Sequence, residues 1–141
     1  MTFTETNTES DAPVASAASA ARTGFDNVKT AVAAAADKKA IDLVVLKLIE
    51  ITSFADYFVI CSGTSTRQVQ AIANEIEDRL RSEKVRPLNI EGYQNAEWIL
   101  LDYGSMIVHV FSEKSRQFYD LERLWGDAEK LAMSEIGRAH V

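Results

Sequence analysis

The sequence predicts a single α/β domain, a mixed five-stranded sheet flanked by helices. Three observations point to it. Residues 41–50 (IDLVVLKLIE) and 57–61 (YFVIC) are nearly continuous apolar, β-friendly runs, the composition of strands covered on both faces. Val69, Ile72, Ala73, Ile76 and Leu80 recur at the spacing of one helix face. Residues 97–111 alternate around a glycine, as a hairpin does.

The totals are those of a globular chain. At 141 residues it suits one domain with a real core, and 47% apolar and 26% charged residues are ordinary values. The formal charge of −6 argues against gripping nucleic-acid phosphates and suits a basic protein partner. No run approaches the roughly 20 apolar residues of a membrane span. The single cysteine, Cys61, sits in an apolar run and reads as a buried reduced thiol, so a cytoplasmic chain is expected. With two histidines far apart, no metal site is expected.

Residues 1–24 are rich in Thr, Ser, Ala and Glu, lack apolar periodicity, and are expected to be a disordered leader. Glu5, Glu9 and Asp11 argue against a transit peptide, and no basic start precedes an apolar run. The domain spans 25–133. It opens with a helix over 25–39, capped by Asp26, with Val28, Val32, Ala35 and Ala36 as a thin stripe. The strands 41–50 and 57–61 follow. Ser62-Gly63-Thr64-Ser65 then leads into a second helix, where Ser65 and Gln68 have the spacing of a capping box. Glu75 with Arg79 and Glu77 with Arg81 form its solvated side. Pro87 stops the helix upstream, leaving a short strand over 87–91 and a loop over 92–96.

The hairpin is read with Tyr103-Gly104 as its two-residue turn. Leu101 then faces Met106, Ile99 faces Val108 and Trp98 faces His109. One side carries Ile99, Leu101, Met106, Val108 and Val110, wholly apolar; the other carries Trp98, Leu100, Asp102, Ser105, Ile107, His109 and Phe111. A one-residue slip would exchange the sides, so the pattern fixes which face joins the core.

A last helix runs from Arg116 to Trp125, capped by Ser112 or Ser115, with Phe118, Leu121, Leu124, Trp125 and Ala128 as its buried stripe. Gly126 bends it and 127–133 resumes it. Residues 135–141 match what a common sequencing-adapter DNA encodes in frame. Residues 134–141 therefore read as a non-native tail, and His140 belongs to no site.

Little of this is catalytic. Gly63-Thr64-Ser65 at a strand-to-helix junction could hold a phosphate, as nucleotidyltransferases do, but no Asp-x-Asp follows to hold Mg²⁺. Helix capping is the plainer reading. Asp102, Ser105 and His109 do not fall into a triad in the hairpin register, and a non-enzyme is expected, with no cofactor. The aromatic set is the stronger signal: Trp98, Tyr103, Phe111 and Tyr119 near Asp102, His109 and Glu91 have interface chemistry. Two readings stand here, a docking face, or a last helix that packs over Trp98 and buries it.

The segments DYFVICSGTS (56–65), RQV (67–69), Glu91-Gly92, WILLDYG (98–104), VHVF (108–111) and RQFYDLERLW (116–125) resemble the ribosomal silencing factor family, RsfS or Iojap, in order and at natural spacing. The resemblance implies a five-stranded α/β domain, nucleotidyltransferase-like without catalytic carboxylates. It implies binding to the large ribosomal subunit through ribosomal protein fourteen, steric exclusion of the small subunit, and damped translation when nutrients run low. A large-subunit assembly factor, or a degenerate nucleotidyltransferase that still binds a nucleotide, are the alternatives. Carried over, the contact surface implies Trp98, Asp102, Tyr103 and His109 with Glu91 nearby, and Arg116, Tyr119 and Glu122 on the last helix. No membrane and no sequence-specific nucleic-acid contact are implied, and homodimer formation stays open.

Overall fold

The computed structural model describes residues 22–136; residues 1–21 of the leader and 137–141 of the tail lie outside them. The elements run α1 (Gly24–Asp37), β1 (Ile41–Lys47), β2 (Tyr57–Gly63), α2 (Thr66–Ser82), β3 (Asn89–Glu91), β4 (Trp98–Asp102), β5 (Met106–Ser112), α3 (Glu113–Tyr119), α4 (Leu121–Leu124), β6 (Glu129–Leu131) and α5 (Met133–Ile136). The strands form one mixed sheet in the order β3-β4-β5-β2-β1-β6. Its central pair, β2 with β5, is parallel, and the other pairs are antiparallel.

Among the described residues six strands stand where five were expected. The addition is β6, which pairs Glu129 with Lys47, Lys130 with Leu46 and Leu131 with Val45. Residues 127–133 therefore do not resume a helix: helix formers by composition, they are drawn into extended pairing by the open edge of β1. At the other terminus Thr23, not Asp26, is the N-cap of α1. Its hydroxyl accepts from the Asp26 N–H at 3.1 Å, and the Asp26 carboxylate accepts from the Thr23 N–H at 2.9 Å. That backbone N–H is the main cause holding the Asp26 pKa below its ordinary value.

Two apolar layers sandwich the sheet. On one face α1 and α2 pack Val28, Ala31, Val32, Val69, Ile72, Ala73, Ile76 and Leu80 against Val45, Val59, Cys61, Ile99, Leu101, Met106, Val108 and Val110. Ile136, inside the expected tail, is fully buried in this layer. Sealed there, Cys61 has its thiol pKa pushed up to about 12 by burial. The opposite layer is smaller: Leu46, Leu48, Ala55, Phe58, Ile60, Phe111 and Leu121, with Trp98, Ile107, Trp125 and Ala128 at its margin.

The hairpin keeps its faces but moves its register by two residues. Trp98 pairs with Phe111, Leu100 with His109 and Asp102 with Ile107. The turn is Gly104-Ser105: Gly104 takes φ +87, and the Tyr103 N–H donates to the Met106 carbonyl at 2.9 Å. Glycine at the first central position is the requirement of a type II′ turn. A shift of two preserves the alternation, so every side chain stays on its expected side.

The last helix is not continuous. Asp120 adopts φ 48, ψ 56, ending α3 and starting α4. The break takes the residues on its two sides off a single helix face. Leu121 is buried as expected, but Phe118 and Leu124 are 79% and 72% exposed. Ser112 is the cap of α3, its hydroxyl accepting from the Ser115 N–H.

Candidate functional site

The smaller layer does not reach the far edge of the sheet. Paired residues of adjacent strands point to the same side, so Asn89, Glu91, Trp98, Leu100, Asp102, Ile107, His109 and Phe111 share the face away from α1 and α2. His109 and Phe111 are buried, Trp98, Leu100, Asp102 and Ile107 partly exposed, and Asn89 and Glu91 exposed. Tyr119 from α3 lies over Trp98, ring centroids 4.6 Å apart, and Phe118 stands edge-on to Tyr119 at 5.0 Å. Beside them, Phe118, Tyr119 and Leu124 line an open concavity together with Gln117, Asp120 and Arg123. The result is a surface of aromatic and aliphatic groups, with Glu91 on the edge strand β3 and Asp102 at the end of β4.

Of the residues chosen from sequence, Trp98, Asp102, Glu91 and Tyr119 come together here. The last helix does not bury Trp98: Tyr119 lies against one side of the indole and Phe111 is 5.0 Å away, yet the residue stays partly exposed. Asp102 shapes the turn, its carboxylate accepting from the Gly104 N–H at 2.8 Å.

Tyr103 does not join them. It packs on the helical side, its hydroxyl buried without a hydrogen-bond partner among the described residues and its pKa raised by burial, then by the Glu77 charge. His109 lies beneath the face, 3% exposed, against Phe58 at 4.5 Å and Phe111 at 6.2 Å. Its Nδ1 accepts from the Trp98 Nε1–H at 3.0 Å, so the ring proton belongs on Nε2, which has no partner among the described residues. Burial lowers the imidazole pKa to about 3 and keeps the ring neutral. Such an unpaired buried donor costs about 1–3 kcal/mol.

Arg116 and Glu122 fasten α3 and α4 to the sheet. The guanidinium donates to both Glu122 carboxylate oxygens, to the Ser62 hydroxyl at 2.9 Å and to the Asp42 carbonyl at 2.7 Å. The hydrogen bond from Arg116 is the main cause lowering the Glu122 pKa.

Sequence reasoning missed Leu100, Ile107, Phe118 and Leu124 as surface. For Leu100 and Ile107 a signal existed, since the alternation already put them on the mixed face. For Phe118 and Leu124 it did not, because their exposure depends on the break at Asp120.

The strand-to-helix junction offers little to a phosphate. The Ser65 hydroxyl accepts from the Gln68 N–H at 3.1 Å, and the Gln68 side-chain Oε1 accepts from the Thr64 N–H at 2.6 Å. The second half of the expected capping box thus falls one residue early, on Thr64. Among the described residues no hydrogen bond joins Asp102, Ser105 and His109, and no three His, Cys, Asp or Glu side chains group closely enough to hold a metal ion. No helix among them is long and apolar enough to cross a membrane.

The described residues form an α/β domain with a partly exposed aromatic ribbon on one face of its mixed sheet. The family model described as "Ribosomal silencing factor during starvation" matches residues 20–140, and the chain belongs to that family. The ribosomal silencing factor RsfS of Bacillus subtilis is 46% identical over 101 residues, 72% of this chain and 86% of that protein. A mouse protein named for mitochondrial assembly of the ribosomal large subunit is 36% identical over 87 residues, 60% of this chain and 38% of that one. A crystal structure of a Chromobacterium violaceum protein matches with TM-score 0.73 at 33% identity, covering 79% of this chain and 92% of that one.

Proposed function

We propose that this protein is a cytoplasmic, non-catalytic factor that docks on the large ribosomal subunit through ribosomal protein fourteen. In doing so it occupies the surface the small subunit needs, and so represses translation under nutrient limitation. The observation that carries this reading is Trp98, partly exposed and packed against Tyr119 on the sheet face that the short helices α3 and α4 cover only in part. A partly exposed Trp–Tyr pair beside aliphatic surface is the make-up of an interface hot spot. Glu91 and Asp102 at its edge, on a chain of net charge −6, suit a basic protein and would steer its approach. Family membership and the name of the B. subtilis relative support the ribosome as the target. The mixed sheet between helices reads as a nucleotidyltransferase-like scaffold turned to binding, its Gly63–Ser65 junction serving as a helix cap.

The experiment is co-sedimentation with purified large subunits, followed by challenge with small subunits. Wild-type protein should travel with the large subunit and prevent joining, and Trp98→Ala should lose both while staying folded. Binding unchanged by Trp98→Ala would move the docking face elsewhere. The mouse relative's name favours a second reading, an assembly role on the same subunit. Deletion would then cause immature large subunits to accumulate, with joining of mature ones unaffected.

A further inference from the structure

We infer that His109 is a positioning residue for docking: its Nδ1 holds the Trp98 indole in the orientation that the partner meets. The inference rests on the docking reading above. An imidazole sealed between Phe58, Phe111 and Trp98 is a poor choice for packing alone, since one of its nitrogens has no polar partner. An apolar side chain of similar size would avoid that deficit. What histidine adds is an acceptor, and the acceptor is used by the Trp98 Nε1–H at 3.0 Å.

The bond has two effects. It selects one orientation of an indole that otherwise meets Tyr119 and Phe111 through apolar ring contacts, which do not fix where its N–H points. It also turns the indole's only polar atom inward, so the exposed remainder of the ring is wholly apolar. A partner then meets a surface already ordered and already dry, and less side-chain freedom is lost on binding. Burial keeps the ring in the neutral form that an Nδ1 acceptor requires.

The test uses the ¹⁵N-labelled 141-residue chain, with Trp125→Phe to assign the two indole resonances. Long-range imidazole spectra should show His109 protonated on Nε2, and the Trp98 indole proton should resonate downfield. His109→Leu should lose that shift and bind large subunits about five- to tenfold more weakly, with Tm unchanged or higher. His109→Asn, whose side-chain oxygen falls near the Nδ1 position, should regain the shift and most of the affinity. A purely structural role predicts the reverse, a fall in Tm with affinity unchanged. If His109→Leu does not fold, the wild-type tautomer and the Asn variant decide: a proton on Nδ1, or an Asn variant without the indole shift, overturns the inference. Unchanged binding by His109→Leu where Trp98→Ala abolishes it sinks the inference alone. Wild-type protein that binds no subunit sinks the docking reading, and this inference with it.

Discussion

Arg116 and Glu122 meet through two hydrogen bonds, 3.2 and 2.8 Å long, across the left-handed turn at Asp120. The Arg116 side chain is only 10% exposed, and its other two bonds run to Ser62 and the Asp42 carbonyl. One guanidinium therefore ties β1, β2, α3 and α4 together.

Glu122→Gln keeps the shape and removes the charge, and should cost about 1 kcal/mol. Arg116→Met also strands the buried Ser62 hydroxyl and should cost about 2–3 kcal/mol. Urea melts at neutral pH measure both. Because the folded Glu122 pKa lies below its ordinary 4.5, the ion pair's contribution is present above that pH and lost as pH falls through the folded value.

Phe118 and Leu124 should matter to binding and not to stability. Each is more than two-thirds exposed, so Phe118→Ser and Leu124→Ser should change unfolding free energy by less than about 0.5 kcal/mol. Both should weaken co-sedimentation with the large subunit about tenfold. A variant that loses stability instead would place its side chain in the core.

Two glycines in the site's scaffold should respond differently to alanine. Gly92 has φ +80, and a Cβ there would run into the Trp98 carbonyl, so Gly92→Ala should cost about 3 kcal/mol or more. Gly104 has φ +87 but open space, with only Leu88 at 3.5 Å, so Gly104→Ala should cost about 1 kcal/mol. Thermal melts compare the pair.

Buried neutral His109 makes the fold sensitive to mild acid. Its folded pKa of about 3 lies below the ordinary 6.5, so the unfolded chain takes up more protons in between. Stability should therefore fall as pH drops below 6.5, by about 1.4 kcal/mol per unit, or about 2 kcal/mol by pH 5. His109→Leu should flatten that slope between pH 6.5 and 5, a range above that in which Glu122 acts. Urea midpoints at pH 7, 6 and 5 check it.

The helical face of the fold is legible in the sequence. Val69, Ile72, Ala73, Ile76 and Leu80 are all buried, as their spacing requires. What failed depended on local geometry with little sequence signature. Glu129–Leu131 is too short for a period, and only the edge of β1 makes it a strand. Asp120 looks like any helical residue until its backbone turns left-handed and exposes Phe118 and Leu124. The hairpin slipped because Gly104 fits either central turn position, and parity protected the face assignment from that error. The site was half legible for the same reason: alternation placed Trp98 and Asp102 together, but not Tyr103's turn toward the helices or the depth of His109.

The parallel pairing of β2 with β5 at the sheet's centre bears on folding time. The β1–β2 pair and the β3–β4–β5 meander are each closed by short connections, and each can find its register locally. Joining them brings Tyr57 beside Met106 and Gly63 beside Ser112, across the whole of α2 and the meander. The entropy of closing that long loop is lost before the seam's contacts form. The rate of folding is then set at this seam. Trimming Val59 or Val108 should slow refolding, while trimming Leu121 on α4 should mainly hasten unfolding.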